Sequence, residues 1–359
     1  MDNENKNISA ENGAETPHKR RVRYKGTHPR TFEEKYKEHD PEKYAETVEK
    51  IMSKGHTPAG MHISIMVNEI LDFLQIQPGQ QGLDATLGYG GHTLEMLKKL
   101  DHQGHIYGLD VDPIESEKTR ARLESKGFGA DDITVKLTNF RNIDKVAEEV
   151  GQFDFVLADL GVSSMQIDDP SRGFSFRHEG PLDLRLDPAH GITAAERLQT
   201  VGFEELIGML VENSDEPYAE EIAREILKSR KRGISLETTT DLYKAVERAL
   251  EFVPQKERKT AVKKSCQRTF QALRIDINNE FEVLYEFLDK LPGVLKSGGR
   301  AAILTFHSGD DRLVKRSFKQ LMREGVYSEV ARDVIRPSQE ECRRNTRATS
   351  TKMRWAIKA

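Results

Sequence analysis

Residues 84–93, DATLGYGGHT, place small and flexible residues on a turn between a short apolar run and the helical run Leu94-Glu95-Met96-Leu97. Glycines at 88, 90 and 91 allow positive φ and a close approach of backbone to a ligand. In a doubly wound sheet this first strand-to-helix turn lies where ligands bind. A dinucleotide-binding turn would read G-x-G-x-x-G, with an acid about twenty residues on. The acid is present, Asp110 standing nineteen residues past Gly91, but the third glycine is missing. A phosphate-cradling G-x-x-x-x-G-K-[ST] is absent too. Asp84 before the loop and Asp110 at the end of the next strand suit a nucleoside with a free ribose and a cationic tail. S-adenosylmethionine answers that description: its ribose diol would pair with the Asp110 carboxylate, and it brings no phosphate. The same residues would also build a tight turn that binds nothing.

A second polar block follows the apolar run ending at Asp159: Leu160-Gly161-Val162-Ser163-Ser164-Met165-Gln166-Ile167-Asp168-Asp169, then RGFSFR (172–177) and GPLDLR (180–185). In enzymes that methylate exocyclic amines, acceptors at this strand end hold the amine hydrogens so that the nitrogen lone pair faces the methyl group in line. Asp159 is the candidate for that role, although Asp and Ser also cap turns. Arg172, Arg177 and Arg185 could contact RNA phosphates, or pair with Asp168, Asp169, Asp183 and Asp187. Phe174 and Phe176 read as core. A third block, residues 305–315, sets His307 at a strand end, with Asp310 and Asp311 read as caps of the next helix.

These blocks need a sheet to carry them. Apolar runs at 82–85, 105–110, 133–137, 153–159 and 300–306 alternate with helical stretches, which predicts parallel strands with helices on both faces. Residues 352–357 alternate like a closing strand. About 140 residues separate the fourth and fifth strands, with helical periodicity over 219–231 and 240–252, which predicts an inserted helical subdomain. The expected organisation is a flexible charged extension over 1–55 with one helix at 41–53, a core over 56–168 and 270–359, and the insertion over 169–269. At 359 residues and 36% hydrophobic content the chain can bury a core. It lacks a long apolar run and an apolar leader, so a cytoplasmic, non-membrane protein is expected. Cys266 and Cys342 fit neither a disulfide framework nor a metal site, and no metal is expected. Basic clusters at 18–25 and 343–347 are solvated tails or phosphate contacts.

Residues 84–93, 159–169, 172–177, 180–185, TFQALRI (269–275) and FHSGDDRLVK (306–315) resemble, in order, the RsmH (MraW) family of ribosomal RNA methyltransferases, over about five-sixths of the chain. The resemblance implies a class I S-adenosylmethionine-dependent (Rossmann-like) α/β sheet with an inserted helical domain. It also implies methylation of the N4 amine of a cytidine in the decoding centre of 16S small-subunit ribosomal RNA, free or assembled, without metal. Gly90, Gly91, His92, Asp110, Phe140, Asp159 and Gln166 match the family's cofactor contacts. Departures are Ser64 and Met165 where the family has proline, Tyr89 where it has arginine, Gly309-Asp310 for Leu-Glu, and Lys264-Ser265-Cys266-Gln267 for His-Pro-Ala-Thr. A paralogue with another RNA target, a non-catalytic ribosome-assembly factor and a nicotinamide-dependent oxidoreductase are the competing readings.

Overall fold

The structure is a computed structural model describing residues 64–359. The expected extension over 1–55, its helix at 41–53 and the basic cluster at 18–25 lie outside the described residues.

The first layer begins with helix α1 (Val67–Leu74), whose Ile70 and Leu74 are buried. There follow β1 (Gln80–Asp84), α2 (Gly91–Leu100), β2 (Gly104–Asp110), α3 (Pro113–Ser125), β3 (Ile133–Leu137), α4 (Ile143–Val150) and β4 (Phe153–Asp159). Strand β4 is a near-continuous apolar run because both faces of a parallel sheet are covered at its centre. In β4, Phe153, Phe155, Val156, Leu157 and Ala158 are all buried. Gly82 of β1 leaves room for Phe155, since a Cβ there would sit 2.0 Å from the ring.

After β4 come α5 (Ser164–Asp168), α6 (Ala194–Thr200), α7 (Phe203–Ser214), α8 (Ala219–Lys231), α9 (Thr239–Ala249) and α10 (Gln255–Asn278). Thr193 with Glu196, and Thr238 with Asp241, form reciprocal caps that fix the starts of α6 and α9. These helices bury their own cluster, with Leu198, Leu206, Ile222, Leu242 and Leu273 at its centre. The expected boundary at 269/270 falls inside α10, which continues unbroken for 24 residues.

The chain returns through α11 (Glu280–Val294), β5 (Leu295–Thr305), α12 (Ser308–Arg323), β6 (Tyr327–Val330), α13 (Gln339–Arg344) and β7 (Lys352–Lys358). The strand order is β3-β2-β1-β4-β5-β7-β6. Strands β1 to β5 are parallel, and β7 enters antiparallel between β5 and β6. One face packs Val156 and Ile303 under α4 and α11, the other packs Leu157 and Leu304 under α1 and α2. The order reverses between β1 and β4, so their carboxyl ends open onto a crevice at the topological switch point. No helix among the described residues is long and apolar enough to cross a membrane.

Candidate active site

That crevice is the mouth of a cavity of about 930 Å³ bounded by the loops after β1, β2, β4 and β5 on one side and by α10 on the other. The β1 loop is shaped by glycine. Gly88 (φ 46°) and Gly90 (φ 75°) are left-handed, and a Cβ on Gly90 would meet Thr119 of α3 at 2.6 Å. The Thr119 hydroxyl in turn donates to the Gly88 carbonyl at 2.5 Å. Tyr89 is held from α3 as well: the Arg122 guanidinium lies 3.4 Å from its ring centroid and donates to its carbonyl. This stacked cation accounts for an aromatic residue at that position.

Asp110 closes β2 beneath the loop. Its Oδ2 accepts from the Gly88 N–H at 2.8 Å and its Oδ1 from the Asp112 N–H at 2.9 Å. Burial pushes its carboxyl up to about 6, against the pull of those two amides. Each oxygen keeps a second lone pair, as a diol partner requires. Asp84 does not line the cavity; it accepts from the Thr93 hydroxyl at 2.6 Å and the Thr86 N–H at 3.1 Å.

At the end of β4, Asp159 faces the cavity. Its Oδ1 is buried without a hydrogen-bond partner among the described residues, and its Oδ2 lies 3.6 Å from His92 Nδ1. His92 Nε2 is 2.9 Å from the Ile65 carbonyl, an acceptor only, so that nitrogen carries the proton. Burial raises the Asp159 carboxyl to about 6, with His92 opposing the rise and Asp84 adding to it. An orphaned buried acceptor is costly, and it fits a site completed by a hydrogen-bond donor from a bound molecule. Gln166 caps α5 by accepting from the Ser163 N–H at 3.0 Å, and its amide reaches Asp112 at 3.4 Å. Phe140 stands edge-on to Phe287, with ring centroids 5.2 Å apart.

Gly90, Gly91, His92, Asp110, Phe140, Asp159, Gln166, Arg177 and His307 thus line one cavity, whereas Arg172 and Arg185 do not. Those two candidates are structural. Arg172 donates to the fully buried Asp112 at 2.5 Å and to the Leu186 carbonyl at 2.9 Å. Arg185 forms a two-pronged pair with Asp183 at 2.7 and 2.9 Å. Their donors are consumed in fixing the loop that follows α5. Arg177 is exposed and makes no ion pair among the described residues. In the basic cluster near the C-terminus, Arg347 pairs with Asp168 at 2.9 Å.

Sequence reasoning missed a buried polar network at the β5 end. Arg274 of α10 pairs two-pronged with Glu280 at 2.7 and 2.8 Å, and its Nη2 lies 3.3 Å from His307 Nε2. Arginine only donates, so this histidine nitrogen accepts. Burial first, then the Arg274 charge, hold His307 down to about 3 and therefore neutral. The residue that precedes α12 is His307; Asp310 and Asp311, expected as its caps, lie inside the first turn instead. Asp311 is turned to Arg354 at 2.6 Å, while Asp310 is buried facing the cavity. Lys263, Lys264 and Gln267 of α10 also line the cavity. The signal available in sequence was the acidic pair after a strand-end histidine.

A seven-stranded sheet in this order, open to a cavity over the β1/β4 switch, is the architecture of class I S-adenosylmethionine-dependent methyltransferases, and S-adenosylmethionine is the cofactor. The model of the MraW methylase family matches residues 59–359, and the chain belongs to that family. Among curated proteins it is 70% identical over 345 residues to ribosomal RNA small subunit methyltransferase H 1 of Lachnoclostridium phytofermentans, covering 96% of this chain and 94% of that one. It is 64% identical to the protein of the same name from Agathobacter rectalis, covering 96% and 99%. A solved S-adenosylmethionine-dependent O-methyltransferase from Thermotoga maritima aligns with 87% of this chain and 71% of its own at 11% identity and a TM-score of 0.39.

Proposed function

We propose that this enzyme methylates the N4 amine of a cytidine in the decoding centre of 16S small-subunit ribosomal RNA, by direct in-line transfer. The observation that carries the reading is the unpartnered Asp159 Oδ1 at the β4 end, in the same cavity as the glycine loop. That oxygen can accept an amine hydrogen and so turn the nitrogen lone pair toward the methyl group. When bound, S-adenosylmethionine supplies an electrophilic methyl on sulfur. Asp110 would hold its ribose, Gly90, Gly91 and His92 would form the floor beneath it, Phe140 would lie beside the adenine, and Gln166 would keep Asp112 and the start of α5 in place. A paired base cannot reach the bottom of such a cavity, so the cytidine enters single-stranded or flipped. The helices between β4 and β5 would serve as the substrate-recognition subdomain. The names of the two relatives above support small-subunit ribosomal RNA as the substrate.

The test is to incubate the protein with isotopically labelled cofactor and unmethylated small subunits or their RNA, then map the label by mass spectrometry. Label on the amine of a decoding-centre cytidine supports the reading. Label on another nucleotide moves the target while keeping the chemistry, an outcome to which Lys264 and Gln267 give weight, because these departures from the family pattern line the cavity. No incorporation on either substrate defeats the proposal.

Lys263 and Lys264 are exposed at the cavity rim and form no ion pair among the described residues. Neutralising both, as Lys263→Ala with Lys264→Ala, should lower the salt-dependence slope of RNA binding by roughly 1 to 1.5. Calorimetric binding of S-adenosylhomocysteine should not change. An unaltered salt slope would remove these lysines from the RNA path.

A further inference from the structure

Methyl transfer to a neutral amine leaves the nitrogen positively charged until it loses a proton, and the reaction as proposed names no group to take it. Two carboxylates face the cavity at neighbouring strand ends. Asp159, on β4, is placed to hold an amine hydrogen. Asp310 sits in the first turn of α12, directly after β5, and β5 is the hydrogen-bonded neighbour of β4: Asp159 pairs in register with Leu304. Asp310 is 5% exposed, lines the same cavity, and makes no hydrogen bond or ion pair among the described residues. Its neighbours explain why it stays available. Arg274 is tied up by Glu280 on α11 and by His307, and Asp311 on the same helix takes Arg354 and Lys352 from β7.

We propose that Asp310 is the catalytic base that removes the amine proton, an assignment that rests on the amine-methylation reading given above. The cytidine nitrogen forms its bond to the methyl carbon as the carbon–sulfur bond breaks, the sulfur keeps that electron pair, and the proton shed by the nitrogen passes to a carboxylate oxygen of Asp310. The proton leaves to solvent through the cavity mouth before the next turnover. Neutral His307, with Nε2 occupied by Arg274, has its remaining N–H to donate and cannot serve as the base, so the two residues differ in role. Burial raises the Asp310 carboxyl to about 7, with Glu280 and Asp311 adding to the rise and Arg274 and Lys352 opposing it. A base with that affinity both accepts a proton readily and releases it near neutral pH.

The experiment compares wild type with Asp310→Asn and Asp310→Glu. In wild type kcat should rise through about pH 7. Asp310→Asn should lose about 10²-fold in kcat together with that rise, Asp310→Glu should restore part of both, and S-adenosylhomocysteine affinity should stay the same in all three. The Asp310 carboxyl carbon, followed by NMR, should titrate near 7. If wild type labels a cytidine amine and Asp310→Asn does so at the same rate across the pH range, or if the carbon titrates at an ordinary carboxylate value, the base assignment is overturned and amine methylation stands. If wild type labels no amine at all, the amine reading fails and the base assignment falls with it.

Discussion

Asp159→Asn is expected to cut methyl transfer by about 10³-fold while leaving the protein as stable as before, or more so. The substitution preserves shape but replaces one carboxylate oxygen with an N–H donor and removes the charge that holds an amine hydrogen. The stability half follows from the cost of the native group. Asp159 Oδ1 is buried without a partner, and burial raises the carboxyl from 3.8 to about 6. A group whose folded-state pKa is raised contributes stability below its unfolded value and loses that contribution as pH climbs through the folded value. Ionising Asp159 therefore destabilises the fold between about pH 4 and pH 6. The melting-temperature difference, variant minus wild type, should grow over that window and level off above it. A variant that transfers methyl at the wild-type rate would remove Asp159 from the reaction, and a pH-independent melting difference would refute the electrostatic account.

Asp110→Ala should weaken S-adenosylhomocysteine binding about 10²-fold, since two hydrogen bonds to a charged acceptor contribute about 1.5–3 kcal/mol each and some of that is returned by water. The carboxylate also organises the loop from below, through the N–H groups of Gly88 and Asp112. Asp110→Asn keeps an acceptor for one of these two N–H groups and loses the charge, so its affinity should fall between the other two. Because the carboxyl is raised to about 6 by burial, wild-type affinity should decline as pH drops below that value, and the Asp110→Ala affinity should not. Calorimetry across pH 5 to 8 reads both effects. Equal affinities for wild type and Asp110→Ala would end the ribose assignment.

The features legible in the sequence are those in which local chemistry and tertiary role coincide. The apolar segments at 82–85, 105–110, 133–137, 153–159 and 300–306 mark β1 to β5, and the alternation at 352–357 marks β7. Strand β6 is four residues, Tyr-Ser-Glu-Val, with only Tyr327 and Val330 buried, too short a pattern to stand out. The glycine loop was legible because positive φ leaves a trace in residue type. Ion pairs leave none: the sequence offers Arg172 either RNA phosphates or nearby acids, and the fold gives it Asp112, 60 positions away. Asp310 carries the opposite lesson. Its spacing from a strand end suggested a helix cap, and its burial beside Arg274 and Glu280 comes from three elements meeting in space.

The unbroken helix α10 joins two places that would otherwise be independent. Lys264 is at the cavity rim and Arg274, ten residues on, is buried against His307, a separation of about 15 Å along the axis. Under the proposed function, a rod of fixed pitch would act as a measuring gauge: the place where the RNA strand rests on the lysines would determine which nucleotide can stand opposite the β4 and β5 strand ends. Its far end is anchored by Asn278, which accepts from the Leu186 N–H and donates to the Leu184 carbonyl, both at 2.8 Å. Adding one residue between Lys264 and Arg274 would rotate the lysines by about 100° around the axis and shift them by about 1.5 Å. The same insertion would turn Val262 and Cys266 out of the helical core they are buried in, so the position of the lysines is tied to the packing of α10.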